Sequence, residues 1–378
     1  MPVLHPQHPV LVAAPDVQAR GTDLRGALIV GVDLGEVDLV WEQVDATDAV
    51  FARCPMSDAT ERMLRDAGAT ILHRLEGIEF EPFRTTLYSY AELSAGYVEG
   101  RPETALDARI GAVSTRMGPA DVLARGIHDV CIEAALMRFL DEAGAPVVGI
   151  MGSHITPRGD SDYREVATLA RRFTRDGFIV ATGGGPGLME AANLGAWLAP
   201  ADDGALDEAF EILSTVPSYE PDPGAYVDRA IEVRQRWPQG ATSLGVPTWI
   251  YVDEPFNQFA THIAKYFQNS IRENGLLAIA HAGIVYTPGG SGTLQELFTD
   301  AAQNEYTLYD VRSPMILMGA EYRSGRLTDA TAALQKLAER GGWGRLVRVV
   351  DDADGAFESI RELLPSEVMP PRPALRRR

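Results

Sequence analysis

The chain has 378 residues, of which 46% are apolar, two are cysteines and two are lysines, and its formal net charge is −19. This composition is typical of a globular protein of two to three domains, and it excludes a wholly disordered chain, a disulfide framework and a cysteine metal site. The acidity argues against nucleic acid or an anionic membrane as a partner, because both require clustered Lys and Arg. We find no signal peptide and no membrane-length apolar stretch, and we therefore expect a soluble cytoplasmic protein.

The first 130 residues carry an apolar residue at every fifth position over one stretch. These positions are Leu24, Ile29, Leu34, Leu39, Val44, Ala49 and Cys54. A five-residue period is typical of a short pentapeptide-type β-solenoid, and two ordinary alternating strands explain the pattern about as well. We assign residues 1–130 to an accessory domain of unknown role, with a short pentapeptide-like region and a small α/β region both open.

Residues 131–365 are predicted to form the main domain, into which a helix over residues 119–144 leads. Continuous apolar runs, which suit strands buried on both faces, are Pro146–Met151, Phe178–Thr182, Thr248–Val252, Gly283–Thr287, Pro314–Met318 and Leu346–Val350. Helical spacing is found in Tyr163–Asp176, Leu188–Leu198, Gln258–Ala280 and Thr293–Gln303. This alternation predicts an α/β fold with a doubly wound parallel sheet flanked by helices, in which ligands bind at the carboxyl ends of the strands.

Two further segments depart from the strand–helix alternation. Residues 200–245 contain several prolines and an acidic stretch, and we predict an insertion or lid of mixed helix and loop there. A surface excursion without a role is the alternative for this insertion. The Pro- and Arg-rich residues 366–378 are predicted to be a disordered tail.

Three glycine-containing loops each follow a predicted strand and precede a predicted helix. Their candidate phosphate-binding residues are Gly152 and Ser153 in the first loop, Gly184, Gly185, Gly187, Met189 and Glu190 in the second, and Gly289, Gly290, Ser291, Gly292 and Thr293 in the third. Glycine lets the backbone approach a ligand closely, and free N–H groups at a helix start bind anions. One such loop is weak evidence, but three at the strand ends of one sheet indicate a phosphate or nucleotide site.

The loops differ from two familiar phosphate-binding patterns. None is a Walker A loop, because no Gly-Lys-Ser/Thr follows, and none matches the G-x-G-x-x-G fingerprint with its acidic partner, which disfavours NAD. His154, His262 and His281 are isolated from one another in the sequence, so we expect no metal ion, and nothing indicates a cofactor.

The segments GGGPGLMEAAN (183–193) and PGGSGTLQE (288–296) resemble the paired signature of the LOG family, GGGxxGxM with PGGxGTxxE. That family consists of Rossmann-like phosphoribohydrolases that are often mislabelled lysine decarboxylases, and the resemblance covers about residues 145–320. It implies a Rossmann-like fold and a homodimer or larger homo-oligomer. It also implies hydrolysis of the N-glycosidic bond of nucleoside 5′-monophosphates to free base and ribose 5-phosphate.

The resemblance implies a catalytic pair as well. The glutamate of PGGxGTxxE corresponds to Glu296, and the arginine of the helix before the PGG strand corresponds to Arg272, one residue further from the motif than usual. The chain departs from the family pattern at Glu273, where a lysine usually follows that arginine, and at Ser291, where small members place an aromatic residue. It is therefore similar to the larger members, which act on purine and pyrimidine monophosphates.

Glu296 suits this chemistry. Glycosidic cleavage passes through an oxocarbenium-like transition state, for which a carboxylate can balance the developing positive charge and orient water. Arg272 can hold the phosphate or position Glu296. Glu190 can contact ribose or base, and a glutamate that only satisfies a helix dipole is about equally consistent. Thr293 could likewise either contact the phosphate or act as the N-cap of its helix.

Two alternatives to a nucleotide N-glycosidase follow from the same residues. A lysine decarboxylase needs a Schiff-base lysine, but Lys336 lies away from the glycine loops, and Lys265 is predicted to lie mid-helix, facing solvent or the phosphate. A non-catalytic nucleotide or phosphorylated-cofactor carrier on the same fold is the second alternative, since fold does not fix function. Among the aromatic residues near Arg272, which are Trp249, Tyr251, Phe256 and Tyr266, one could stack on a base.

Overall fold

A computed structural model describes residues 9–364 apart from positions 74, 76, 252, 253, 256 and 310, so the predicted tail at 366–378 and Phe256 lie outside the described residues. The chain divides into two compact units. The first comprises Met1–Leu87 and Thr115–Glu142, and the second comprises Tyr88–Ser114 and Ala143–Arg378. Residue 130, where we placed a domain boundary, lies within a helix.

The first unit contains a parallel sheet of four short strands. In chain order its first elements are strand β1 (Val10–Leu11), helix α1 (Ala14–Arg20), β2 (Leu28–Val30), β3 (Val50–Ala52), α2 (Asp58–Asp66) and β4 (Thr70–Leu72). The strands lie in the sequential order β1-β2-β3-β4, so each strand pairs with the one that precedes it in the chain. The register pairs Leu28 with Val50 and Val50 with Thr70.

The apolar positions with five-residue spacing lie at the core of this unit. Six of the seven are buried in its main hydrophobic cluster, and Leu39 is half-buried against the same cluster. The regular spacing in the sequence therefore corresponds to side chains that point inward, while the intervening aspartates Asp23, Asp33, Asp38 and Asp48 are exposed.

Three helices follow before the main sheet begins. They are α3 (Tyr90–Leu93), α4 (Leu106–Val113) and α5 (Pro119–Ala143). The helix predicted over residues 119–144 is confirmed by α5. Helices α3 and α4 belong to the second compact unit although they precede α5 in the chain.

The second unit is built on a seven-stranded parallel sheet, which confirms the predicted α/β fold. Its strands are β5 (Val147–Met151), β6 (Ile179–Thr182), β7 (Ser243–Gly245), β8 (His262–Ile263), β9 (Gly283–Tyr286), β10 (Met315–Met318) and β11 (Val347–Val350). Their order is β11-β10-β9-β5-β6-β7-β8. The chain builds outward from β5 in one direction and then restarts at β9 on its other side. The carboxyl ends of the paired strands β5 and β9 are therefore the switch point where such sheets bind ligands.

Helices cover this sheet and complete its core. They are α6 (Ser161–Arg175), α7 (Leu188–Trp197), α8 (Ala205–Leu213), α9 (Pro223–Arg236), α10 (Asn269–Ile279), α11 (Ser291–Tyr306), α12 (Glu321–Ser324), α13 (Thr328–Arg340) and α14 (Ala353–Leu363). The predicted insertion at 200–245 contains α8 and α9, and their apolar faces join the main hydrophobic cluster through residues such as Phe210, Leu213 and Val233. This segment is therefore part of the core and not a surface excursion.

The strand predicted at Thr248–Val252 is wrong over its described residues. Thr248 forms only an isolated bridge with Tyr266, and Ile250 and Tyr251 are half exposed. The strand lies earlier, at Ser243–Gly245. The backbone hydrogen bonds from this segment to β6 end at Val246, whose N–H donates to the carbonyl oxygen of Thr182. Pro247 has no N–H group that could donate the next one.

The helix predicted over 258–280 is also wrong in its first half, since α10 begins only at Asn269. The preceding residues form β8 and extended chain. Their apolar side chains, which are Phe259, Ala260, Ile263, Ala264, Tyr266 and Phe267, are all buried. A nearly continuous run of buried apolar side chains lacks the polar face of an amphipathic surface helix and is typical of buried extended chain.

Candidate functional site

The three glycine loops leave the carboxyl ends of three neighbouring strands, β9, β5 and β6, and converge on one cavity of about 420 Å³. This volume lies in the range of small-molecule sites. The cavity is lined by eleven of the predicted site residues, namely Gly152, Ser153, Gly184, Gly185, Met189, Arg272, Gly290, Ser291, Gly292, Thr293 and Glu296. The structure thus brings together residues that are up to 144 positions apart in the chain.

Two predicted glycines serve packing beside the cavity and do not line it. Gly187 precedes α7 with φ of +66°, and a Cβ atom there would lie 2.4 Å from the carbonyl oxygen of Ser153. At Gly289 a Cβ would lie 2.1 Å from the Thr293 hydroxyl. Glycine is therefore required at Gly187 by the backbone of the first loop and at Gly289 by the side chain of Thr293.

The expectation that Glu190 contacts the ligand requires correction. Its side chain is buried, and its two carboxylate oxygens accept hydrogen bonds from Arg158 Nε and Nη2 at 2.7 and 2.8 Å. The hydroxyl of Tyr163 donates to the same carboxylate at 2.6 Å. Because Arg158 neutralises the charge inside the protein, Glu190 anchors the start of α7 instead of facing the cavity.

The third loop enters its helix two residues earlier than the sequence suggested. Helix α11 begins at Ser291, with Gly290 as its N-cap, so Thr293 lies within the first turn and does not cap it. The first N–H groups of a helix have no partner inside it, and here Ser291, Gly292 and Thr293 all line the cavity. Glu296 consequently lies in the second turn of α11, just behind this row of N–H groups.

Arg272 is held mainly by backbone carbonyl groups. Its Nε donates to the carbonyl oxygen of Val246 at 2.7 Å, and its Nη2 donates to that of Gly183 at 3.2 Å. Its Nη1 lies 3.8 Å from Glu296 Oε1, which is beyond hydrogen-bond distance. The guanidinium is therefore fixed against the strand ends, and its charge acts on Glu296 through space.

The pKa of Glu296 is raised from its ordinary value to about 7, chiefly because burial penalises the charged carboxylate. The nearby charge of Arg272 lowers this pKa, and the charge of Glu273 raises it. A carboxyl with a pKa near neutrality can exchange a proton with substrate or water at physiological pH, which is what general acid–base catalysis needs.

Sequence reasoning missed four polar residues in or beside the cavity, beginning with Lys265 and Asp107. Lys265 was expected mid-helix, facing solvent or the phosphate. It lies outside any helix and is only 4% exposed, so the solvent-facing alternative is wrong, and it lines the cavity. Its Nζ donates to Asp107 Oδ1 at 2.6 Å, and the indole N–H of Trp249 donates to the same oxygen at 3.1 Å. No local signal could show this pair, because its members are 158 residues apart.

The other two residues that sequence reasoning missed are the glutamates Glu273 and Glu254. Glu273 accepts hydrogen bonds from Asn269 at 2.8 Å and from Gln295 at 2.6 Å, and its position next to Arg272 was visible in the sequence. Glu254 lies 3.9 Å from the imidazole of His154, and burial raises its pKa. Both carboxylates line the cavity together with Glu296.

Within the part of the chain that the structure describes, no group of three or more His, Cys, Asp or Glu side chains could hold a metal ion. Over the same residues, no helix is both long and apolar enough to cross a membrane.

Comparison with known proteins finds only distant structural likenesses. No family model and no curated protein matches the chain. Among solved structures, the molybdenum cofactor carrier protein of Chlamydomonas reinhardtii shares 18% identity with a TM-score of 0.35, over 58% of this chain and 98% of its own. The molybdenum cofactor binding protein of Rippkaea orientalis shares 15% identity with a TM-score of 0.35, over 58% and 97%. At these values the likenesses carry no argument about activity.

Proposed function

We propose that this chain hydrolyses the N-glycosidic bond of nucleoside 5′-monophosphates to free base and ribose 5-phosphate. The observation that supports this proposal is that one cavity is lined both by the glycine loops and by the side chains of Glu296 and Arg272. The resemblance of the two sequence motifs to the LOG family leads to the same residues. The cavity lining and the sequence motifs therefore point to the same two side chains, Glu296 and Arg272.

The glycine loops supply the phosphate site. The start of α11 presents its first N–H groups to the cavity, and the helix dipole there favours negative charge. A methyl group is tolerated sterically at Gly292, so glycine there is not required by protein packing. We propose that its role is to let the phosphate approach the backbone closely.

Glu296 is the proposed catalytic residue. Its carboxylate would stabilise the positive charge that develops on the ribose ring and would take a proton from the attacking water. A pKa of about 7 means that both its charged and its neutral forms are present near neutral pH. Arg272, which lies 3.8 Å away and is fixed by two carbonyl oxygens, keeps a fraction of Glu296 charged.

The direct test is an assay of purified protein on AMP, GMP, CMP and UMP with chromatographic detection of free base. We expect base release without added cofactor, and Glu296→Gln should reduce kcat by about 10²–10⁴-fold, as expected for loss of a general acid–base. Asp329→Asn, an exposed change on α13, is the matched control and should have no effect. The proposal fails if base is released neither from these four nucleotides nor from a nucleoside 5′-monophosphate with a positively charged base.

A non-catalytic carrier remains the second candidate, and one observation favours it. The donors of Arg272 that form hydrogen bonds are directed at backbone carbonyls, and no hydrogen bond joins Arg272 to Glu296 in the described structure. Calorimetry that shows tight binding of a nucleotide, followed by its recovery unchanged, would favour the carrier.

A further inference from the structure

The glycine-loop cavity contains more carboxylates than cations. Glu254, Glu273 and Glu296 line it, and we call these three the cavity carboxylates. The cations of the lining are Arg272 and Lys265, while His154 at the rim is half exposed. The balance of these groups determines which ligand the cavity can hold.

One of the two cations is neutralised from outside the cavity. Lys265 Nζ lies 2.6 Å from Asp107 Oδ1, and Asp107 is not part of the lining. Arg272 donates to carbonyl oxygens, which carry no net charge, so its positive charge still acts on the cavity. Among the described lining residues, three carboxylates therefore face a single uncompensated cation.

A phosphate group adds to this excess of negative charge. The glycine loops can hold phosphate through backbone N–H groups and the helix dipole, but these supply only partial positive charge. A nucleoside monophosphate with a neutral base would then place up to two further negative charges beside the cavity carboxylates. Like charges at this range repel strongly in a partly desolvated site.

We propose that the natural substrate is a zwitterion, namely a 5′-mononucleotide whose base carries a fixed positive charge, such as a pyridinium or an N-alkylated purine. This inference rests on the proposed function and names its substrate class. The cationic base would face the cavity carboxylates while the phosphate lies on the glycine loops. The ring of Tyr251, which is 50% exposed at the cavity, adds an aromatic face that suits a flat cation.

The raised pKa values of Glu254 and Glu296 agree with a ligand that brings positive charge to the cavity. Burial raises the pKa of both Glu254 and Glu296, and the charge of Glu273 raises the pKa of Glu296 further. A cation bound among the three would offset this repulsion and lower both pKa values. Binding of a cationic nucleotide should therefore release protons, which calorimetry in buffers of different ionisation enthalpy measures.

A cationic base also simplifies the chemistry. The bond between C1′ and the base nitrogen breaks, and its electron pair neutralises the base, so the leaving group needs no proton. The oxygen of water forms a bond to C1′ and loses one proton to Glu296, from which it passes to solvent. The products are a neutral base, ribose 5-phosphate and one proton.

The test compares 7-methylguanosine 5′-monophosphate with GMP, a pair that differs by one methyl group and one charge. We expect kcat/KM to be at least ~10-fold higher for the methylated nucleotide, which corresponds to one modest charge–charge interaction. Cationic glycosides are also intrinsically more labile, so the decisive quantity is the change in this ratio on mutation. Glu254→Gln and Glu273→Gln should each reduce it several-fold, whereas Asp329→Asn should leave it unchanged.

The outcomes separate this inference from the proposed function. If both nucleotides are cleaved and the ratio is the same in every variant, the substrate class is wrong while the hydrolase stands. If neither is cleaved, the proposed function is wrong, and calorimetry then compares binding of nicotinamide mononucleotide with that of GMP. Tighter binding of the cationic nucleotide, lost in Glu254→Gln, would still support the charge preference, and equal binding would overturn it.

Discussion

Arg158 and Glu190 form a buried bidentate ion pair directly behind the second glycine loop, with distances of 2.7 Å from Nε to Oε1 and 2.8 Å from Nη2 to Oε2. Arg158 also donates to the carbonyl oxygen of Tyr226 at 2.9 Å. The pair joins the chain before α6 to the first turn of α7 and to α9. Glu190 therefore contributes to the site by holding its loop, since its carboxylate is not available to a ligand.

Removal of one member of this pair should be strongly destabilising. Glu190→Ala leaves the guanidinium of Arg158 buried without a counter-charge, and we expect the free energy of unfolding to fall by about 3–5 kcal/mol. Urea denaturation measures this change. The matched control is Glu362→Ala, because Glu362 forms a bidentate pair with Arg348 at 2.8 Å but on the exposed surface. A loss at Glu190 no larger than that at Glu362 would contradict the prediction.

The pair of Lys265 and Asp107 should couple stability to ligand binding. Asp107→Asn leaves the ammonium group of a 4% exposed lysine without a counter-charge, so we expect a loss of unfolding free energy of about 3 kcal/mol. The same change frees the charge of Lys265 to act on the cavity, and affinity for GMP should rise while its salt dependence steepens. Urea denaturation and calorimetry test the two effects. Unchanged affinity at both low and high salt would show that Lys265 does not act on the ligand.

Gly292 and Gly275 offer a matched pair for testing the phosphate site. Both lie in helices, and a Cβ atom at either would meet nothing within 4 Å. Alanine should therefore raise the free energy of unfolding by about 0.5–1 kcal/mol at both positions. Only Gly292 lines the cavity, so Gly292→Ala should also weaken nucleotide binding, whereas Gly275→Ala should not. Thermal unfolding and calorimetry measure the two effects, and equal affinities would argue against phosphate at the start of α11.

Sequence patterns predicted the parts of the fold that depend on local order. Five of the six predicted strands lie within one residue of an observed strand, because doubly buried strands read as continuous apolar runs. The glycine loops could also be predicted from local order, because tight turns at strand ends require glycine. The strand at Ser243–Gly245 was missed, because three residues of mixed character carry almost no periodic signal.

Contacts between distant residues account for most of the errors at the site. Glu190 and Arg158 are 32 positions apart, and the partner of Lys265 lies in α4, which no sequence pattern joins to the main sheet. A charged residue that is read alone is expected to face solvent, because burial of an unpaired charge is costly. Its true position depends on whether the fold supplies a counter-charge, which no local pattern shows.

The raised pKa of Glu296 makes the stability of the protein depend on pH in a definite direction. In the unfolded chain the carboxyl ionises near its ordinary value of 4.5, whereas in the folded protein it ionises at about 7. Between these values the folded state binds more protons than the unfolded state, so the free energy of unfolding falls as pH rises. Below pH 4.5 the carboxyl is protonated in both states, so burial of its charge costs no stability. Above about pH 7 it is charged in both states, and the full free-energy cost of burying that charge lowers the stability of the folded protein.

Glu296→Gln, which keeps the shape of the neutral carboxyl, should remove this cost. We expect the variant to equal the wild-type protein in stability near pH 4.5 and to exceed it above about pH 7. The difference should approach ~3 kcal/mol, because the pKa is raised from 4.5 to about 7 and each tenfold change in the ionisation constant corresponds to about 1.4 kcal/mol. Urea denaturation across this pH range measures the difference in unfolding free energy between variant and wild type. Asp329→Asn is an exposed control, for which this difference should not increase with pH. A gap between variant and wild type that does not change with pH would mean that Glu296 is not desolvated, and its proposed role in proton transfer would lose its physical basis.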